Sequence, residues 1–267
     1  MYLAYRLRHP IGFGRGYANV IARSVDGERF ETVCVLEREE FASDSLERPA
    51  LVRLPDGSWR VYVSCATLNS KHWRIDAIDA PSPERFDPAK RHTILPGNTR
   101  EGLKDPVVVH DGSRWHMWVC AHPLDLEGAE DRMTTRYATS RDGIDWDLQG
   151  TALAPRPGRW DQRGTRVSAV LLGGGRVTAY YDGRASAAEN AEERTGIASG
   201  ESPDRLRPLG HQPLPGTPFG TGSLRYLSVL AGGDGSYRLF YETCRRDGAH
   251  DLRTEYVPFP RPVSQSL

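Results

Sequence analysis

Four copies of one short pattern, spaced almost evenly, constrain this chain more than any single residue does. The pattern is a small residue at a strand end, a serine, a turn and, in the clearest copies, an aromatic. It occurs as Ala22-Arg23-Ser24-Val25-Asp26-Gly27-Glu28-Arg29-Phe30, as Ala80-Pro81-Ser82-Pro83-Glu84-Arg85-Phe86 and as Ala138-Thr139-Ser140-Arg141-Asp142-Gly143-Ile144-Asp145-Trp146. A reduced copy is Ala198-Ser199-Gly200-Glu201-Ser202-Pro203. Ser24, Ser82, Ser140 and Ser199 are separated by 58, 58 and 59 residues. A period of roughly 40–60 residues filled with short strands indicates propeller blades.

A second element repeats in phase: an apolar strand, a tight turn and an aromatic-rich strand. Turns at Pro55-Asp56-Gly57, Asp111-Gly112, Gly173-Gly174-Gly175 and Asp234-Gly235 each join such a pair, as hairpins require. Third strands are expected near Ala18–Ser24, Trp73–Ala80, Tyr137–Ser140, Thr195–Ser199 and Leu252–Val257. The pattern predicts an all-β, five-bladed β-propeller with incomplete first and last blades; four blades, with merged termini, is the alternative. Tyr2–Arg8 supplies an inner strand of the first blade or closes the ring against the last. Residues 1–260 read as a single propeller domain and 261–267, rich in proline and serine, as a disordered tail. Ala185–Arg194 reads as a loop or one short helical excursion.

With 35 basic and 35 acidic residues, the chain has no net charge to direct it to nucleic acid or an anionic membrane. No apolar run is long enough to span a bilayer, and the first ten residues do not read as a secretory signal. Cys34, Cys65, Cys120 and Cys244 form no C-x-x-C pair, so free thiols and a cytoplasmic location are expected. No cofactor or metal is expected, because the histidines lack ligand spacing.

In a propeller the residues before each innermost strand and after the next one meet on one face, around the channel mouth. That rule collects Glu47-Arg48, Lys104-Asp105, Arg163 to Arg166 and Arg225, together with Cys65, His122, Asp182-Gly183-Arg184 and Glu242. Converging carboxylates suit acid–base work on a glycosidic bond. The competing reading is that these charges pair with one another and tie the blades together.

The strings Lys104-Asp105-Pro106-Val107-Val108-Val109, Trp115-His116-Met117-Trp118 and Tyr137 to Trp146 resemble the five-bladed β-propeller glycosidases. That superfamily includes arabinanases and xylosidases, invertases and levansucrases, and mannoside phosphorylases. Leu3-Ala4-Tyr5-Arg6 with Ile21 to Gly27 is most similar to the phosphorylase branch. The resemblance implies that Asp105 stabilises the transition state. It also implies that Arg48 stands where a catalytic aspartate is usual, and that Thr165-Arg166-Val167 fills the place where hydrolases carry their general-acid glutamate. These departures weigh against ordinary hydrolysis.

The candidate catalytic residues are therefore Asp105, Glu47 as base or nucleophile, and Glu242 or Asp182 as acid. Arg48, Arg163, Arg166, Arg184, Arg225 and Asp161 are candidate substrate-binding groups, since guanidinium groups suit bidentate phosphate or carboxylate recognition. Trp160 is the candidate sugar platform and His122 a candidate proton carrier. The expected partner is a small carbohydrate or anionic sugar. Hydrolysis, phosphorolysis and binding without turnover all remain open. Asp105→Asn is expected to abolish turnover with little loss of stability.

Overall fold

The computed structural model describes residues 1–258 and is an all-antiparallel, five-bladed β-propeller. The first blade holds β1 (Tyr2–Arg8), β2 (Gly16–Arg23) and β3 (Glu31–Glu37). The second holds β4 (Ser43–Leu46) and β5 (Ala50–Arg53), which both pair with β6 (Trp59–Thr67), then β7 (Trp73–Ala80) and β8 (His92–Leu95). The third runs β9 (Glu101–His110), β10 (Trp115–Pro123), β11 (Thr134–Ser140) and β12 (Asp147–Leu153). The fourth runs β13 (Gly164–Gly173), β14 (Arg176–Arg184), β15 (Arg194–Ser202) and β16 (Arg205–Pro208). The fifth contains β17 (Arg225–Ala231), β18 (Tyr237–Cys244) and β19 (His250–Val257). The five-blade reading thus holds, with three strands in each terminal blade among the described residues. The proposed tail at 261–267 lies outside the described residues.

The repeated serine motif has a local cause. Ser24 Oγ accepts from the amide of Gly27, and Asp26 Oδ1 from those of Glu28 and Arg29; Ser140 and Asp142 repeat the arrangement with Gly143, Ile144 and Asp145. These side chains replace strand pairing where the chain reverses, and glycine supplies the positive φ the turn needs. Each turn then docks on the preceding blade. Tyr62 Oη donates to Gly143 O, Trp118 Nε1 to Pro203 O and Tyr2 Oη to Glu84. The first-blade turn docks in the same way on the fifth blade, with Phe30 edge-on to Phe240 and Arg238 donating to Gly27 O. Ring closure among the described residues therefore uses the same kind of turn docking that joins the first blade to the second, the second to the third and the third to the fourth.

Tyr2–Arg8 resolves as the innermost strand of the first blade, paired with β2. The segment expected as that blade's third strand is β2, second in its sheet, because among the described residues no strand pairs with the inner edge of β1. Consequently β1 ends on the face where β5, β9, β13 and β17 begin, which brings Arg6 to the channel mouth. Ala185–Arg194 is a loop with one 3-10 turn, Ala187–Glu189. Apolar cores fill the spaces between blades, such as Val61, Ile78 and Leu36 between the first and second, and Trp118, Tyr181 and Val167 between the third and fourth. The axis itself holds charge and a cavity. Among the described residues no helix is long and apolar enough to cross a membrane.

Candidate functional site at the channel mouth

Each of β9, β13 and β17 breaks register as it enters the axis, and the inner strand of the second blade is split there into β4 and β5. A bulge at this level re-aims side chains toward the centre. Asp105 and Tyr226 occupy such bulges at φ 55° and 52°, in the left-handed region that non-glycine residues seldom adopt. Holding them there costs on the order of 1–3 kcal/mol each, which the surrounding contacts must offset.

The contacts form one continuous network. Arg166 Nη2 lies 2.8 Å from Asp182 Oδ2 and 3.3 Å from Glu193 Oε1, while its Nη1 lies 3.4 Å from Asp105 Oδ2. Tyr226 Oη donates to Asp105 Oδ2 at 3.0 Å and accepts from Arg166 Nη1 at 2.8 Å; the Tyr226 amide donates to Asp182. Arg225 pairs with Glu193 and, at 3.4 Å, with Glu242. Arg6 bridges Glu47 and Glu242, at 3.0 Å from the latter. Arg184 reaches Glu193 at 3.6 Å, and Lys104 reaches Asp105 at 3.9 Å. The Tyr226 ring is the hub, with guanidinium carbons of Arg166, Arg6, Arg225 and Arg48 at 3.7, 4.5, 4.8 and 5.8 Å from its centroid. Cations gather there because the ring face is electronegative.

Electrostatics follow from burial against pairing. Burial raises the pKa of Asp105, but Lys104, Arg166 and Arg6 outweigh it and hold the carboxyl well below its usual range. Burial likewise opposes ionisation of Glu193 and Glu242, yet their arginines bring both down to about 2. Asp182 is the exception: burial and the neighbouring Glu193 raise its pKa against the pull of Arg166.

The structure thus brings together Glu47, Arg48, Asp105, Arg166, Asp182, Arg184, Arg225 and Glu242. Their accessibility differs from the sequence expectation. Asp105 and Asp182 are 0% exposed, so neither presents an oxygen to a substrate in this state; both position Arg166 and Tyr226. Glu242, ionised by its arginines, has no proton to donate near neutral pH. Arg48 donates from Nη2 to Ser228 Oγ at 2.8 Å, so its side chain crosses the axis from the second blade to the fifth.

Four candidates fall outside the network. Arg163 pairs with Asp131 at 2.7 Å, and Asp161 with Arg156 at 2.9 Å and with Tyr181 Oη. Trp160 stacks on Tyr181 and sits against Gly183 and Gly196, whose missing side chains make room for it; it is core packing with no face left for a sugar. His122 donates from Nδ1 to Glu130 O, and its Nε2 faces Cys120 Sγ. Burial and Lys104 lower its pKa to about 3, so it stays neutral near pH 7 and is not poised to carry protons there.

Sequence reasoning missed Arg6, Glu193 and Tyr226. Arg6 was hidden by the undecided direction of β1. Glu193 precedes a third strand, and third strands start on the same face, a position the rule for innermost strands omits. Tyr226 holds the bulge position that Asp105 holds in β9, a signal visible by aligning Arg225-Tyr226-Leu227 with Lys104-Asp105-Pro106.

Solved structures share this five-bladed fold. One is a thermostable family-43 glycoside hydrolase, 14% identical with TM-score 0.70, the match covering 96% of this chain and 89% of that one. Another comes from the GH130 family of mannoside phosphorylases, described as containing glycoside hydrolases that target β-1,2 mannosidic linkages in Candida mannan. It is 14% identical with TM-score 0.70 over 95% of this chain and 80% of that one. A third, β-1,2-mannobiose phosphorylase from Listeria innocua in complex with β-1,2-mannobiose, is 16% identical with TM-score 0.63, covering 90% and 67%. At these identities the likeness is one of fold. No family model and no curated protein matches the sequence.

Proposed function

We propose that this chain acts on a glycosidic bond of a small carbohydrate at the charged mouth, with inorganic phosphate as the attacking group. The observation that carries the reading is the Glu47–Arg6–Glu242 bridge. These two carboxylates retain solvent-facing surface and share one guanidinium. An anion entering beside them competes for Arg6 and Arg225, and removing those cations raises the pKa of the carboxylates released, so proton uptake accompanies anion entry. Glu47 then holds a proton for the leaving oxygen. The anomeric C–O bond breaks, a phosphate oxygen bonds the anomeric carbon, and the Glu47 proton goes to the departing sugar. Phosphate is itself the nucleophile, so no base is needed to activate water, which fits a mouth whose corresponding positions carry Arg48 and Arg166. The fold neighbours, hydrolases and mannoside phosphorylases, support a sugar substrate. The four unpaired cysteines support a reducing, cytoplasmic setting.

Binding without turnover is the second reading, favoured by the complete burial of Asp105 and Asp182. Incubation with β-1,2-mannobiose and a panel of aryl glycosides, with and without phosphate, separates the two. Phosphorolysis yields a sugar 1-phosphate only when phosphate is present, and Glu47→Gln lowers that rate by at least about 10²-fold. Sugar binding with no product selects the second reading, and equal aglycone release without phosphate selects hydrolysis.

A further inference from the structure

Arg8 ends β1, one step nearer the opening than Arg6. Two residues apart on one strand, their side chains leave on the same side, and the register shift here takes its extra residue, Tyr17, from β2. Arg6, Arg225, Tyr226 and Glu242 are the ionisable groups that act on it, so Arg8 belongs to the mouth. Its pairing is incomplete. Nε donates to the neighbouring His9 O at 3.2 Å. Neither Nη nitrogen has a hydrogen-bond partner among the described residues, and Arg8 makes no salt bridge with any of them. The residue is only partly buried, and its Nη nitrogens are not sealed from water as Arg48 Nη1 is.

Glu242 does not supply the counter-charge, because Arg6 and Arg225 already hold it at 3.0 and 3.4 Å. Burial, Arg6 and Arg225 all lower the Arg8 pKa, so this cation sits where positive charge is already crowded. Five carboxylates of the mouth, Glu47, Asp105, Asp182, Glu193 and Glu242, are matched by five cations that pair with them, Arg6, Lys104, Arg166, Arg184 and Arg225. Arg8 and Arg48 pair with none of them, the first bonding His9 O and the second Ser228. With every carboxylate ionised the mouth therefore carries two positive charges in excess.

We propose that Arg8 is the residue that selects a phosphate dianion at the mouth. The open Nη edge of its guanidinium donates to two phosphate oxygens, the bidentate geometry that this group favours. Arg6 and Arg225 add their field from deeper in the mouth, and the two charges of the ion balance the two left unmatched. A neutral sugar hydroxyl balances neither, and a monoanion only one. The assignment deepens the phosphorolysis reading and rests on it for the role of the ion as attacking group. A doubly charged phosphate group is the same chemistry whether it arrives free or carried by a sugar.

Calorimetric titration of the full chain with inorganic phosphate and with mannose 6-phosphate tests the site. Phosphate is expected to bind with one-to-one stoichiometry. Arg8→Met, which keeps an unbranched stem and removes the charge, is expected to weaken it at least about tenfold. Arg8→Lys, which keeps the charge and loses the fork, is expected to fall between. Arg245→Met removes an exposed cation, paired with Asp247, from the turn that Ile11 binds, and is expected to leave the affinity unchanged. Mannose 6-phosphate binding more tightly than free phosphate, again through Arg8, assigns the dianion to a phosphorylated sugar; weaker binding assigns it to the free ion. If Arg8→Met does not fold, Arg8→Lys against Arg245→Met decides. Absence of phosphate binding by the unmodified chain overturns the proposal, as does equal affinity in Arg8→Met or an equal loss in Arg245→Met. The phosphorolysis reading fails separately: phosphate that binds through Arg8 while β-1,2-mannobiose yields no sugar 1-phosphate sinks that reading and keeps this site.

Discussion

Arg166→Gln is expected to lower the free energy of unfolding by about 3–5 kcal/mol, the range seen when one partner of a buried ion pair is removed. One guanidinium here serves Asp105, Asp182 and Glu193 and covers the Tyr226 ring, and all of these side chains are nearly solvent-free. Without it three carboxylates face one another with no water to solvate them. Chemical denaturation at neutral pH reads the effect directly. Arg163→Gln is the control, because its partner Asp131 lies in a partly exposed pair, and exposed pairs contribute about 0–1 kcal/mol. If Arg166→Gln unfolds at the same denaturant concentration as the control, the ion-pair cage is not what holds the mouth together. The same reasoning revises the expectation for Asp105→Asn. The variant leaves Arg166 and Lys104 without their buried counter-charge, so stability falls along with activity and the two must be measured separately.

Acid is expected to unfold this protein over a defined window. Glu193 and Glu242 have folded pKa values of about 2 against an ordinary 4.5, so each contributes stability that is fully present above the ordinary value. That contribution is lost as pH falls from about 4.5 toward about 2, and Asp105, also depressed, loses its share in the same direction. Together the three amount to several kcal/mol on an order-of-magnitude scale, at about 1.4 kcal/mol per pKa unit. Asp182 acts with the opposite sign: its raised pKa means that its ionisation opposes folding, so its protonation offsets part of the loss. Unfolding free energies taken across this range are expected to decline from about pH 6.5, where the unfolded chain begins to protonate His122 and His250 while the fold holds both neutral, and to fall more steeply below 4.5. A profile that stays level down to pH 2 contradicts the assignment of these groups as ionised and paired.

The two experiments bear on function as well as stability. Asp105, Glu193 and Glu242, held ionised by their cations, offer no proton near neutral pH. Any bond-cleaving role at these groups therefore requires something to displace those cations, the part that the proposed reading gives to phosphate.

The blade count, the hairpins and the docking turns were legible because they rest on local chemistry. Ser24 with Asp26 and Ser140 with Asp142 make the same turn wherever they occur, and Asp111-Gly112 reverses a chain without help from distant residues. The face rule also worked from local order, since it needs only the alternation of strand directions to bring Glu47, Asp105, Arg166, Arg225 and Glu242 to one opening. What it could not supply was exposure. Trp160 reads as a sugar platform until Gly183 and Gly196 are seen to receive it, and Arg163 reads as a mouth residue until Asp131, 32 positions earlier, claims it.

From its sequence alone this chain is a ring of repeated four-strand units with charge concentrated at one end of the axis, because periodic apolar strands and turn residues act over a few positions. Only the tertiary structure decided which charge meets which, whether a carboxylate keeps water, and that Arg48 reaches across the axis to Ser228. Those outcomes depend on distances between blades, and Coulomb and desolvation energies change within a few ångströms that no spacing along the chain records.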